Sequence, residues 1–231
     1  MRSIIILRSK ILGLKELRGK QIIVLVNISQ DIINLPPGTD VTLRHQTWVD
    51  YEKLIRIRKD HTAIKIYFDI KTEEIRIMSP LPGHGKRVDT LSDLVKLLLH
   101  QQGQDWESFH PITLKRFEEA GLEPDACFYI QNRAAILGKE RIDLATDPPP
   151  DLAIEVDLTS STQAEDYQAL KIPELWIYHQ GQLSIYLFDG EQYNESINSL
   201  IFSQIPVKQI LPEYVELAWI SPKKHIREVS E

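Results

Sequence analysis

The sequence predicts an α/β domain in which short strands and amphipathic helices surround an acidic central strand. Three stretches carry that expectation. Residues 151–159, Asp-Leu-Ala-Ile-Glu-Val-Asp-Leu-Thr, alternate acidic and apolar side chains at period two, the pattern of a strand with one packed face. Val88, Leu91, Leu94, Val95, Leu98 and Leu99 recur at helical spacing, so they trace an apolar helix face suited to packing on a sheet. Residues 64–69 and 74–78 are alternating runs joined by Ile70-Lys71-Thr72-Glu73, which is hairpin spacing.

The chain has 231 residues, enough for one medium domain with a substantial core but short for two full domains. Its hydrophobic share of 42% and charged share of 26% are those of a soluble globular protein, and no apolar run approaches the roughly 20 residues of a membrane span. Ile4-Ile5-Ile6-Leu7 is too short for a signal-peptide core and is interrupted by Arg8 and Lys10, so a cytoplasmic protein is expected. The single cysteine, Cys127, excludes an internal disulfide and a cysteine-built zinc site, which agrees with a reducing compartment. A net charge of -6 argues against indiscriminate binding of nucleic acid. The basic pairs Lys86 with Arg87, Lys115 with Arg116 and Lys139 with Arg141 read as solvated surface unless they share a face with the acids.

Residues 1–40 read as an N-terminal extension. The first twenty carry Arg2, Arg8, Lys10, Lys15, Arg18 and Lys20 against Glu16 alone, 21–28 is a β-branched run of strand type, and Pro36-Pro37-Gly38 breaks the chain. The main domain is expected over 41–222, with 223–231 a polar tail. Trp48, Tyr51, Leu54, Ile55 and Arg58 give a first helix, with Thr47 as its cap and Asp50 in its first turn. Ser79-Pro80-Leu81-Pro82-Gly83-His84-Gly85 then breaks the sheet before a helix that starts near Val88. Strands follow at 106–110, 112–117 and 126–130, with Gly121 in a connection. Pro148-Pro149-Pro150 bounds the acidic strand on one side, and Thr159-Ser160-Ser161-Thr162 supplies capping hydroxyls on the other. Ala164, Tyr167 and Leu170 mark a short helix ending before Pro173. Strands at 174–179, 182–188 and 192–195 come next, the last two joined at Asp189-Gly190, and a closing helix over 207–219 carries Pro212 as a point of interruption.

The residues that could carry chemistry are Glu123-Pro124-Asp125 and, thirty residues on, Glu155-Val156-Asp157. An ionised carboxylate in a central strand is costly unless a cation, a basic side chain or water faces it, so Glu155 and Asp157 need compensation. A metal-dependent phosphodiesterase needs hard oxygen ligands on neighbouring strands to hold Mg²⁺ against a phosphate, and Asp125 and Glu155 suit that role. The plain alternative is a pair of surface carboxylates at strand ends. His84 is a candidate proton shuttle or ligand, weighed against a cap or packing residue. Trp176 and Tyr178 alternate with Leu175 and Ile177 and read as strand packing rather than as a base-stacking surface. The Ser-Ser-Thr run lacks a nucleophile elbow and reads as a cap.

Residues 123–130, 148–160 and 167–176, together with Met78-Ser79-Pro80-Leu81-Pro82 and His84, resemble the Uma family of restriction endonucleases over about 41–219. The resemblance implies a restriction endonuclease-like PD-(D/E)XK fold: a mixed central sheet of four or five strands flanked by helices, here with an added C-terminal hairpin and helix. It implies a DNA endonuclease dependent on Mg²⁺ or Mn²⁺, with Asp125 as the first acid and Glu155 as the second. A homodimer suits an enzyme that cuts both strands of a duplex. The departures are specific. The motif lysine, two residues after Glu155, is Asp157, and Ser160-Ser161-Thr162-Gln163 stands where many relatives carry Lys or Arg. Lys115 is the candidate substitute. Gly83 and Gly85 flank His84 where relatives often carry acids. The alternative function is a catalytically weakened relative acting as a DNA-binding or protein-interaction module.

Overall fold

The structure is a computed structural model and describes residues 5–8, 35–59, 64–158 and 162–220. The strand expected at 21–28 and the tail at 223–231 lie outside those residues. The described chain divides into two compact units, Met1–Pro82 with Lys115–Glu123 and Gly83–Leu114 with Pro124–Glu231.

The first unit is built on a six-stranded sheet. In chain order its elements are β1 (Ile5–Arg8), β2 (Thr39–Arg44), α1 (Trp48–Arg58), β3 (Lys65–Asp69) and β4 (Glu74–Ser79), with β6 (Leu114–Arg116) and β7 (Ala120–Leu122) joining later. The spatial order is β1-β2-β4-β3-β7-β6. Helix α1 starts where expected: the Thr47 hydroxyl accepts from Asp50 N while the Asp50 carboxylate accepts from Thr47 N, so two orphan donors of the first turn are satisfied reciprocally. The hairpin β3-β4 keeps the expected pairing, Phe68 opposite Ile75 and Ile66 opposite Ile77. Those four side chains join Leu43, Tyr51 and Leu54 in one buried cluster.

Strand β7 is the element the sequence does not announce, because Gly121 reads as a connection. Its glycine is required by packing: a Cβ there would meet the Tyr51 ring at 2.2 Å, and Tyr51 is fully buried. The ring of α1 occupies the space a side chain would take, and β7 pairs with β3 through Phe68 opposite Gly121.

The second unit holds the expected mixed sheet with helices, built of six strands rather than four or five. Its elements are α2 (Pro82–Gln101), β5 (Glu107–Phe109), β8 (Ala126–Tyr129), α3 (Arg133–Ile136), β9 (Leu152–Asp157), a 3₁₀ segment Ala164–Leu170, β10 (Glu174–His179), β11 (Gln182–Phe188), β12 (Tyr193–Ser196) and α4 (Val207–Ile220). The order is β12-β11-β10-β9-β8-β5; β9 and β10 run parallel, and the other pairs are antiparallel. The acidic strand β9 is therefore interior. Leu91, Leu94, Val95 and Leu98 of α2 and Val207, Leu211 and Val215 of α4 share a core with Phe128, Ile154, Val156, Trp176 and Tyr178.

Two helices differ from their expected form. Helix α2 begins at Pro82 rather than near Val88, since proline's fixed φ suits a first helical position. Gly83 packs there: a Cβ would lie 3.1 Å from the Trp219 ring. Helix α4 runs unbroken through Pro212, its lost hydrogen bond offset by the buried Val207, Leu211 and Val215 on one face.

Candidate active site

Strand β9 departs from the expectation of one packed face, because all six of its residues are buried. Leu152, Ile154 and Val156 enter the core with α2 and α4. The alternate residues point the other way at period two, so Glu155 and Asp157, 2% and 3% exposed, are enclosed on the second face. Asp125, immediately before β8, is 5% exposed.

The register draws the acids together. Ala126 stands opposite Ile154 and Cys127 opposite Ala153, and Asp125 is the residue that leads into β8 at the end of that ladder, next to the Glu155 end of β9. Asp125 Oδ2 accepts the backbone N–H of Val156 at 2.8 Å, which fixes its side chain on β9 beside Glu155. His84, in the first turn of α2, brings Nε2 within 2.9 Å of the same oxygen and donates to it when that nitrogen is protonated. Of the candidate roles for His84, contact with Asp125 is the one the geometry provides.

The compensation that the acids need comes largely from hydroxyl and amide donors. The Tyr167 hydroxyl donates to Glu155 Oε1. Thr162 binds both carboxylate oxygens of Asp157, its N–H donating to Oδ2 at 2.6 Å and its hydroxyl lying 3.0 Å from Oδ1. At the start of the strand, Asp151 Oδ2 accepts from Ile130 N at 2.7 Å and Asn132 N at 3.1 Å. Asp151 and Asp157 thus secure the two ends of β9, while Glu155 lies between them. Thr162, expected to cap a helix, caps the strand-end carboxylate instead.

Lys115 belongs to the first unit, where its ammonium lies 2.8 Å from Glu52 Oε1 and 5.8 Å from the centre of the Tyr51 ring. Glu123, which opens the Glu-Pro-Asp motif, is also a first-unit residue: Arg58 pairs with it at 2.5 Å and Ile66 N donates to it at 2.8 Å. Of the stretch Ser160-Ser161-Thr162-Gln163, where the family resemblance leads one to expect Lys or Arg, the first two residues lie outside the described residues, and Thr162 binds Asp157. Trp176 and Tyr178 are buried, in keeping with strand packing.

Sequence reasoning missed Tyr167 and Thr162 as partners of the acids. The signal for Tyr167 was its place in a helical apolar triplet with Ala164 and Leu170, where the hydroxyl was the one polar group needing a partner. His110 stands apart from these contacts: its Nε2 lies 2.8 Å from Ser92 Oγ, and burial is the main cause holding its pKa below the usual histidine value.

Asp125 and Glu155 fit a hard divalent cation by donor chemistry: two buried carboxylates, one at the entry to β8 and one on the neighbouring β9. Among the described residues no group of three or more His, Cys, Asp or Glu side chains is arranged to hold a metal. One or two carboxylates suit a hard divalent cation that completes its shell with water and phosphate oxygens, rather than a zinc cage.

No curated protein matches the chain. A solved structure described as a "putative nuclease belonging to DUF820 from Anabaena variabilis ATCC 29413" is 16% identical, with a TM-score of 0.40, over 60% of this chain and 83% of that one. The Uma2 family model, described as "Putative restriction endonuclease", matches residues 48–219. That match covers well over half of the sequence and includes the Glu-Pro-Asp motif, β9 and the Tyr167 segment, and the chain belongs to the Uma2 family.

Proposed function

We propose that this protein is a metal-dependent endonuclease that hydrolyses phosphodiester bonds in DNA, with Asp125 and Glu155 as ligands of Mg²⁺ or Mn²⁺. The observation that carries the reading is the Asp125 to Val156 N–H bond, which sets one buried carboxylate beside the strand position of another. Membership of the Uma2 family supports the choice of substrate. When bound, the cation would lower the pKa of a water and offset charge on the phosphate. The chain's own residues orient the ligands: Val156 N–H and His84 hold Asp125, and the pairing of β9 with β10, Glu155 opposite Ile177, fixes the Glu155 backbone. Two such sites in a homodimer would address both strands of a duplex.

A second reading is a weakened relative that keeps the fold and binds DNA or a protein partner. It is favoured by the loss of the motif lysine: the position holds Asp157, bound by Thr162, and the candidate substitute Lys115 is engaged by Glu52. A basic group that orients the water and stabilises the transition state is worth orders of magnitude in rate. Plasmid DNA incubated with the full chain and a titration of Mg²⁺ or Mn²⁺ separates the two readings. Metal-dependent nicking that vanishes in Asp125→Ala is the expected result. Metal binding without nicking supports the weakened relative, and the absence of both overturns the metal site.

A further inference from the structure

We infer that Tyr167 is a positioning residue for Glu155, fixing the carboxylate that holds the metal, with the Thr162–Asp157 pair anchoring the segment that delivers it. The inference rests on the metal-site reading above and adds a residue that touches neither substrate nor cation.

Tyr167 is fully buried, so its ring does the packing work that phenylalanine would do equally well. The hydroxyl is the difference between the two. Glu155 beside it is an acceptor when ionised, and the phenol donates to Oε1. A glutamate has three side-chain torsions, and a donor at one oxygen restricts which way the other faces. That is the geometry by which hydrogen-bond partners of metal ligands orient them and tune their affinity.

The segment that presents the phenol is itself held. Thr162 takes both oxygens of Asp157 at the end of β9, five residues before Tyr167. At the start of the 3₁₀ segment Gln163 N donates to Asp166 Oδ2 at 3.0 Å and Asp166 N donates to the Gln163 carbonyl at 3.1 Å, and Ala164 and Leu170 are buried on either side of the tyrosine. One short stretch after β9 therefore reaches back to both acids of the Glu-Val-Asp triplet. Asp157, where the general nuclease motif would place lysine, serves here as the anchor point of that stretch.

The test measures Mn²⁺ binding to the full chain by calorimetry for wild type, Tyr167→Phe and Thr162→Val, with circular dichroism to establish that each is folded. Tyr167→Phe is expected to weaken the Kd by about 10- to 100-fold while the protein remains folded. Thr162→Val leaves the phenol in place but loosens its anchor, so a smaller weakening is expected, and it carries the test should Tyr167→Phe not fold. A Kd within about two-fold of wild type in the folded variants overturns the inference, even if the melting temperature falls, because a purely structural tyrosine would lower stability without moving metal affinity. If wild type binds no Mn²⁺, the metal-site reading fails and takes the inference with it. If wild type binds and the variants bind equally, only the role of Tyr167 fails.

Discussion

At the scale of single residues, this protein encloses acidic groups by supplying each with donors. Glu123 has Arg58 and the Ile66 N–H, and Asp125 has His84 and the Val156 N–H. Glu174 is the most enclosed of the acids, with no exposed surface, and it accepts from Trp176 Nε1 at 2.6 Å and Leu200 N at 2.8 Å. Burial nevertheless pushes its pKa above the ordinary 4.5, with the hydrogen bonds opposing that shift. The folded state thus binds this proton at higher pH than the unfolded chain does. Its contribution to stability is fully present below the ordinary glutamate value and is lost as pH rises through the raised folded value. Urea unfolding of wild type and Glu174→Gln from pH 4 to 7.5 should therefore give a stability difference, wild type minus variant, that declines with rising pH. A difference that stays flat or rises would show that the donors outweigh desolvation.

At the scale of elements, what decides structure is which neighbour fills a given space. Gly121 in β7 and Tyr51 in α1 are complementary: a residue without a side chain lies under an aromatic ring stacked with Phe68 at a centroid distance of 5.7 Å. Gly121→Ala would place a methyl 2.2 Å from that ring, and a fully buried tyrosine packed also against Trp48 has little room to retreat. Overpacking of a filled core costs about 1–3 kcal/mol. The variant should accordingly lose at least that much stability in denaturant melts, and wild-type stability would mean that the ring moves freely. The Thr47–Asp50 capping box shows the opposite case, an element whose start is determined by two residues three positions apart.

At the scale of the molecule, each unit has its own sheet and its own buried apolar cluster. Among the described residues no helix is long and apolar enough to cross a membrane. The proposed metal response is a property of the whole folding equilibrium, because a cation that binds the native carboxylates and not the unfolded chain stabilises by mass action. At 100-fold excess over Kd the gain is about 2.7 kcal/mol. Millimolar Mg²⁺ or Mn²⁺ should raise the melting temperature of wild type, and Asp125→Asn or Glu155→Gln should abolish that response. Each variant should leave the metal-free protein folded, since the amide oxygen of Asn or Gln can still accept from the Val156 N–H or the Tyr167 hydroxyl. A wild-type melting temperature indifferent to either metal would count against an intact site.

The sequence by itself determined the features set by near neighbours along the chain. The Thr47 cap, the β3-β4 hairpin, the alternation of β9 and the apolar stripe of α2 are all written at separations of two to four residues, where backbone periodicity leaves few choices. The motifs shared with the family single out Asp125 and Glu155 as candidates, while the contact of Asp125 with the Val156 N–H belongs to the folded chain. Tertiary structure alone decided that β9 is buried on both faces, that Gly121 lies in a strand, and which donors satisfy the acids. His84 reaches Asp125 across 41 positions and Tyr167 reaches Glu155 across 12. Such partners follow from strand order and from the path of the connecting segment, and neither has a period in the sequence. The acids announced that they needed compensation; only the folded chain decided that Tyr167, Thr162 and His84 would supply it, because a hydrogen bond selects its partner by position in space.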